Sequence, residues 1–166
     1  MKKSIIIILL VACSICAKAQ TTNTTITEHD AAVKARDAEI KTNIIDPAQQ
    51  DANGQVPDWK TITQTIEQKY DAVTADRTVT KAKIYYYYGK DWPAFCSSIV
   101  HYTDKYELAD DYPLLNKNAT MILKYSDDKK ELEAALSWSK RTLDKEPQNE
   151  TYKKTYAALQ EKLANK

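Results

Sequence analysis

The sequence predicts an all-α fold: an α-solenoid of about seven helices, built as three helical hairpins plus a capping helix. Three observations predict it. Two glycines and five prolines in 166 residues leave few places for tight turns, which argues against a sheet-rich fold. Ala, Lys, Glu, Gln and Leu, which lose little side-chain freedom in a helix, are abundant after residue 26. Finally, apolar residues recur three and four positions apart, and the segments that carry them repeat along the chain.

The first nineteen residues read as a bacterial signal peptide. Lys2 and Lys3 precede an unbroken apolar run from Ile5 to Ala12, and Ala17 and Ala19 put small residues where a signal peptidase reads them. Cleavage is expected after Ala19, which makes the protein periplasmic or secreted. The alternative is a lipobox over Leu10, Val11, Ala12 and Cys13, with Cys13 as a lipid-anchored N-terminus. The apolar run is too short to cross a bilayer core, which takes roughly 20 residues, so no membrane span is expected. Cys13 and Cys16 have redox-dithiol spacing but fall in the leader, which leaves Cys96 as the one cysteine of the mature chain. Residues 20–26, mostly Thr, have nothing to bury and read as a disordered leader, followed by one helical domain over 27–166.

The first helix is expected to start at Thr27, capped with Asp30, and to bury Val33, Ile40, Ile44 and Ile45 before Asp46 and Pro47 end it. Residues 46–57, with two prolines and Gly54, are expected to be irregular. A second helix starts at Pro57 and Asp58, carries Trp59, Ile62, Ile66 and Tyr70, and reaches Val73. The third runs from about Thr74 to Tyr88, with Val79, Ala82, Tyr85 and Tyr86 as its stripe and Gly89 as the residue without Cβ that follows its end. Asp91 with Pro93, and then Pro113, open the fourth and fifth in the way proline favours a first turn. Asp127 or Asp128 caps a sixth, striped by Leu132, Ala135, Leu136 and Leu143. Pro147 and Asn149 open the seventh, striped by Tyr152, Tyr156, Leu159 and Leu163.

Asp91 and Asp128 stand 37 positions apart, and the same shift pairs Phe95 with Leu132, Ile99 with Leu136, Ala82 with Ala119, and Tyr85 with Ile122 and then Leu159. One step earlier the shift is 33, taking Asp58 and Trp59 to Asp91 and Trp92. One hairpin cannot cover its own apolar faces, so repeated hairpins bury theirs by stacking. Ala135, Leu136, Leu143 and Pro147, followed by Tyr156 and Ala157, resemble the tetratricopeptide repeat family. The stretch from Asp58 onward also resembles the helical C-terminal module of secreted bacterial thioredoxin-like proteins, through Asp-Trp at 58 and 91 and Ala-Leu-Ser-Trp at 135–138. The thioredoxin domain and the mature Cys-x-x-Cys of that family are absent, so its oxidoreductase activity does not carry over.

The whole chain has 24 basic and 23 acidic residues. Without Lys2, Lys3 and Lys18 the balance becomes 21 against 23, a net charge of about −2. So even a balance offers no general pull on phosphate backbones or anionic lipid, and neither nucleic acid nor a membrane surface is an expected partner. His29 and His101 have no second His or Cys at ligand spacing, and the pairs Asp110–Asp111 and Asp127–Asp128 fall where helix caps are wanted, so no metal, cofactor or catalytic residue is assigned. Gly54 and Gly89 alone cannot build a phosphate loop. Cys96 reads as a small buried hydrophobe next to Phe95.

Tyr85 to Tyr88 are four consecutive tyrosines on a helix that turns about 100° per residue, so they cannot all face one core. With Tyr85 and Tyr86 inward, Tyr87 and Tyr88 line a concave face together with Arg77, Lys117, Lys124 and Lys154, a combination suited to an extended peptide or acidic tail. The alternative is that the tyrosines pack between repeats and the cations form an ordinary solvated face. The expected function is a non-enzymatic protein- or peptide-binding scaffold in the cell envelope. An accessory that docks a separate thioredoxin-like partner, or an enzyme with a cleft not visible in sequence, are the alternatives.

Overall fold

Six acidic or amide side chains set the helix starts. Asp58, Asp71, Asp91, Asp111, Asp128 and Asn149 each stand just before a helix and accept a hydrogen bond from a backbone N–H two or three positions on. Each satisfies donors that the first turn leaves without a partner, a contribution of about 1 kcal/mol per cap. The computed structural model describes residues 31–107 and 110–166. Among these there are seven helical segments and no strand. The signal peptide over 1–19 with its cut after Ala19, the lipobox at Cys13, the leader over 20–26, the cap at Thr27 and His29 lie outside the described residues.

Segment α1 comprises an α-helix over 31–40, a π-helical turn Lys41–Ile45 and a further α-helix Asp46–Asp51. Then follow α2 (Trp59–Lys69), α3 (Ala72–Tyr87), α4 (Trp92–Tyr106), α5 (Tyr112–Tyr125), α6 (Lys129–Lys145) and α7 (Glu150–Ala164). The expected stop at Asp46 and Pro47 is corrected: the helix passes through both. Proline breaks an α-helix because it lacks an N–H and its ring meets the carbonyl four residues back. Here the Asp46 N–H bonds to Lys41 O, five residues back, so the ladder has already widened where Pro47 enters in the first turn of the continuation. Bonding at five residues also puts Ile40 and Ile45 on the same inward face, both at 3 % exposure or less. The irregular link shrinks to 52–58.

The boundary between α2 and α3 is also corrected. Asp71 caps α3 through the Thr74 N–H and Oγ1, both at 2.7 Å, so Val73 belongs to the third helix and not the second, where it is 62 % exposed. Gly89 takes φ +74 just beyond α3, a left-handed conformation that costs glycine little.

Each helix packs on its chain neighbours, with α3 on α4, α5 on α6 and α6 on α7 closest, and α1 reaches α3, α4 reaches α6 and α5 reaches α7. Two apolar clusters result. Ile40, Ile45, Trp59, Ile62, Ile66, Ala75 and Val79 form one beneath α1–α3. Phe95, Cys96, Ile99, Leu115, Ala119, Ile122, Leu132, Ala135, Trp138 and Leu159 form the other through α4–α7. Tyr87 packs against both.

The caps Asp58, Asp91 and Asp128 follow the expected shifts of 33 and 37. The shift from α3 to α5 does not: Asp71 and Asp111 are 40 positions apart, which sets Ala75 on Leu115 and Val79 on Ala119, all buried. The pairing of Tyr85 with Ile122 at 37 is therefore corrected, since Tyr85 is 74 % exposed and Ile122 fully buried. Three residues are almost one helical turn, so the two alignments place similar faces together and sequence alone does not separate them.

Candidate functional site

Helix α3 turns Thr78, Lys81, Tyr85 and the following Tyr88 toward one side, at spacings of three and four that keep them on one face. Two clefts open along this side. The first, about 550 Å³, lies between α1 and α3 and is lined by Lys34, Asp37, Lys41, Asp46 and Gln49 on one wall and Thr78, Lys81, Tyr85, Tyr86 and Lys90 on the other. The second, about 390 Å³, lies among α3, α4 and α5 and is lined by Tyr85, Tyr88, Tyr102, Glu107, Lys117 and Asn118 over a floor that includes Phe95, Ile99, Leu114 and Met121. Lys81 and Tyr85 belong to both, so the clefts adjoin.

The π-turn shapes the first wall, since it brings Lys41, Ile45 and Asp46 to the cleft. Lys41 Nζ bonds both carboxylate oxygens of Asp46, at 2.7 and 2.8 Å. Asp37 is taken by Arg77, whose Nη2 donates at 2.6 Å and Nε at 3.3 Å. Lys90 Nζ lies 4.1 Å from the centre of the Tyr86 ring, a cation–π contact. In the second cleft, Asn118 Nδ2 donates to Thr103 Oγ1 at 2.9 Å. Burial pushes the Tyr102 phenol up, and it also raises the Glu107 carboxyl, which Asp111 raises further and Lys81 lowers.

Of the six residues expected to form the site, the structure brings Tyr88 and Lys117 together in the second cleft. Tyr88 is 55 % exposed and meets Phe95 and Trp92 edge to face. The other four line neither cleft. Arg77 ties α3 to α1 through Asp37, with only 17 % of its side chain exposed. Tyr87 points the opposite way and accepts a hydrogen bond from Trp59. Lys124 lies over the Tyr125 ring at 4.8 Å, and Lys154 is exposed on α7. The inward assignment of Tyr85 and Tyr86 is half corrected: Tyr86 packs edge to face on Trp59, whereas Tyr85 faces solvent at the junction of the clefts. Sequence reasoning missed Lys81 and Tyr85, although their i, i+4 spacing on a helix with Tyr88 three further on was a signal open to it.

A third group of polar side chains lies between α3 and α4. Asp76 accepts from His101 Nε2 at 2.8 and 2.9 Å, from Lys105 Nζ at 2.9 Å and from the Tyr106 hydroxyl at 2.6 Å. Burial raises the Asp76 carboxyl, but the donors Tyr106, Lys105 and His101 outweigh it and hold it well below the ordinary carboxylate range. Burial, with Asp76 beside it, pushes the Tyr106 phenol up to about 12. Cys96 is fully buried, and burial pushes its thiol up to about 12, with Glu131 adding to the rise. Among the described residues no helix is long and apolar enough to cross a membrane. No protein-family model, curated protein or solved structure matches this chain.

Proposed function

We propose that the protein is a non-enzymatic, tetratricopeptide-like helical scaffold of the cell envelope that holds an extended peptide segment of a partner protein along its two adjoining clefts. One observation carries this reading: two adjoining clefts, basic and aromatic, that share Lys81 and Tyr85 on one helix. Lysines and tyrosines together suit a peptide, because the rings give apolar contact and a hydroxyl while the ammonium groups meet carbonyls and carboxylates. The caps at Asp58, Asp91 and Asp128 and the packing of each helix on its neighbours support a stack of hairpins, with α7 closing the end. The apolar run after Lys2 and Lys3 supports export.

Two lining hydroxyls in these clefts have structural partners: Thr78 donates to Thr74 O and Thr103 accepts from Asn118. A screen of displayed peptides against the purified protein, followed by anisotropy titration of the hits, tests the reading. Tyr85→Ala is expected to weaken a hit about tenfold, the effect of losing an aromatic contact of ~1.4 kcal/mol. Hits that bind Tyr85→Ala and Tyr88→Ala as well as the parent protein remove the groove from the account.

A further inference from the structure

We infer that the groove selects a bipartite peptide, in which an acidic residue lies among the lysines of the first cleft and a bulky apolar side chain about three residues away enters the second. This deepens the peptide-scaffold reading and rests on it. The charge balance of the first cleft points to the acidic element. Four lysines and two aspartates line it, and both aspartates are already committed, Asp37 to Arg77 and Asp46 to Lys41. Among the described residues no carboxylate stands within ion-pair distance of Lys34, Lys81 or Lys90. Lys81 shares the field of Glu107, while Lys34 and Lys90 leave the cleft an excess of positive charge for an entering carboxylate to meet.

The second cleft is of another kind. Phe95 and Ile99, at 3 % and 5 % exposure, lie beneath it, and Leu114 and Met121 continue the apolar lining. Its charged lining residues are Lys81, Lys117 and Glu107, and the half-buried Glu107 lies in the opposing fields of Asp111 and Lys81. An apolar side chain laid on that floor loses water on both sides of the contact. The lysines of the first cleft and the apolar floor of the second thus order the peptide: acid toward α1, apolar anchor toward α5. The spacing follows from the helices, because neighbours packed about 8–10 Å apart are matched by roughly three residues of extended chain at about 3.3 Å each.

The test uses rhodamine-labelled synthetic peptides and the purified protein, read by anisotropy. The reference peptide carries two aspartates and, about three residues on, a leucine. Replacing the aspartates by lysines is expected to weaken binding at least tenfold, with a difference that shrinks as salt rises; replacing the leucine by serine is expected to weaken it about tenfold with little salt dependence. The double substitution Lys34→Glu with Lys81→Glu is expected to invert the order, so that the lysine peptide binds better than the aspartate peptide, while far-ultraviolet circular dichroism keeps the helical signal. Equal affinity for aspartate and lysine peptides, or an order unchanged in the double variant, overturns the inference. If peptides bind in a Tyr85-dependent manner without this order, the inference fails and the scaffold reading stands; if no displayed or synthetic peptide binds, both fail.

Discussion

The indole N–H of Trp59 donates to the Tyr87 hydroxyl at 2.9 Å, a bond between α2 and the last residue of α3 that spans 28 positions of sequence. Trp59 is 8 % exposed, so its N–H has little water to turn to, and Tyr87 touches both apolar clusters. Tyr87 is therefore a joint between the two halves of the core and not a ligand-facing residue. Tyr87→Phe keeps the ring and leaves the indole N–H without its partner. We expect a loss of about 1 kcal/mol in urea unfolding, with Trp59 fluorescence altered and peptide affinity unchanged. A Tyr87→Phe protein as stable as the parent would refute this role.

Arg77 and Asp37 make the corresponding tie between α3 and α1. Both side chains are mostly buried, at 17 % and 23 % exposure, so removing one leaves the other short of partners in a poorly hydrated site. Arg77→Ala is expected to cost ~1–3 kcal/mol, felt first as faster amide hydrogen exchange over residues 31–51. Exchange that rises evenly through α4–α7 instead would show that the pair does not act locally.

Asp76 gives a prediction in acid. Its folded carboxyl titrates below the unfolded value of about 3.9, so the stabilisation is complete above that value and is lost as pH falls through the folded one. Midpoints of thermal unfolding should therefore drop below about pH 4, and Asp76→Asn should drop less steeply there while being less stable near neutrality. Parallel curves for the two proteins would assign the acid loss elsewhere.

Tyr106 gives the complementary prediction in base. Its folded phenol titrates near 12 against an ordinary value of about 10, so its contribution is complete below about pH 10 and disappears as pH rises through about 12. In Asp76→Asn the phenol loses the carboxylate that opposes its ionisation. Its titration, followed by nuclear magnetic resonance of the assigned ring, should move to lower pH.

Cys96 has no exposed surface, and its thiol is pushed up to about 12, so little thiolate exists at neutral pH and no reagent reaches it. A thiol-specific disulfide reagent should leave the folded protein unmodified for hours and react at once in urea, with a stoichiometry of one for a chain lacking residues 1–19. Rapid reaction of the native protein would contradict the burial.

Helix class and most helix starts were readable from local chemistry alone. A capping carboxylate acts on N–H groups two or three residues ahead, and a proline acts on its own turn, so Asp58, Asp91 and Asp128 with Pro93 and Pro113 announced their helices without reference to the rest of the chain. Asp71 follows the same rule but was hidden by the apolar pattern running across it from Tyr70 to Val73. Facing was another matter. Which of Tyr85 to Tyr88 turns inward depends on Trp59 arriving from α2 and on Phe95 and Trp92 from α4, and these meet the tyrosines only after folding. The π-turn at Lys41–Ile45 moved Ile45, Asp46 and Gln49, all lining the first cleft, out of ordinary helical register, and the Arg77–Asp37 tie joins residues 40 positions apart. Helix ends are decided within one turn of backbone, whereas a groove is a relation among helices distant in sequence, and only packing brings those together.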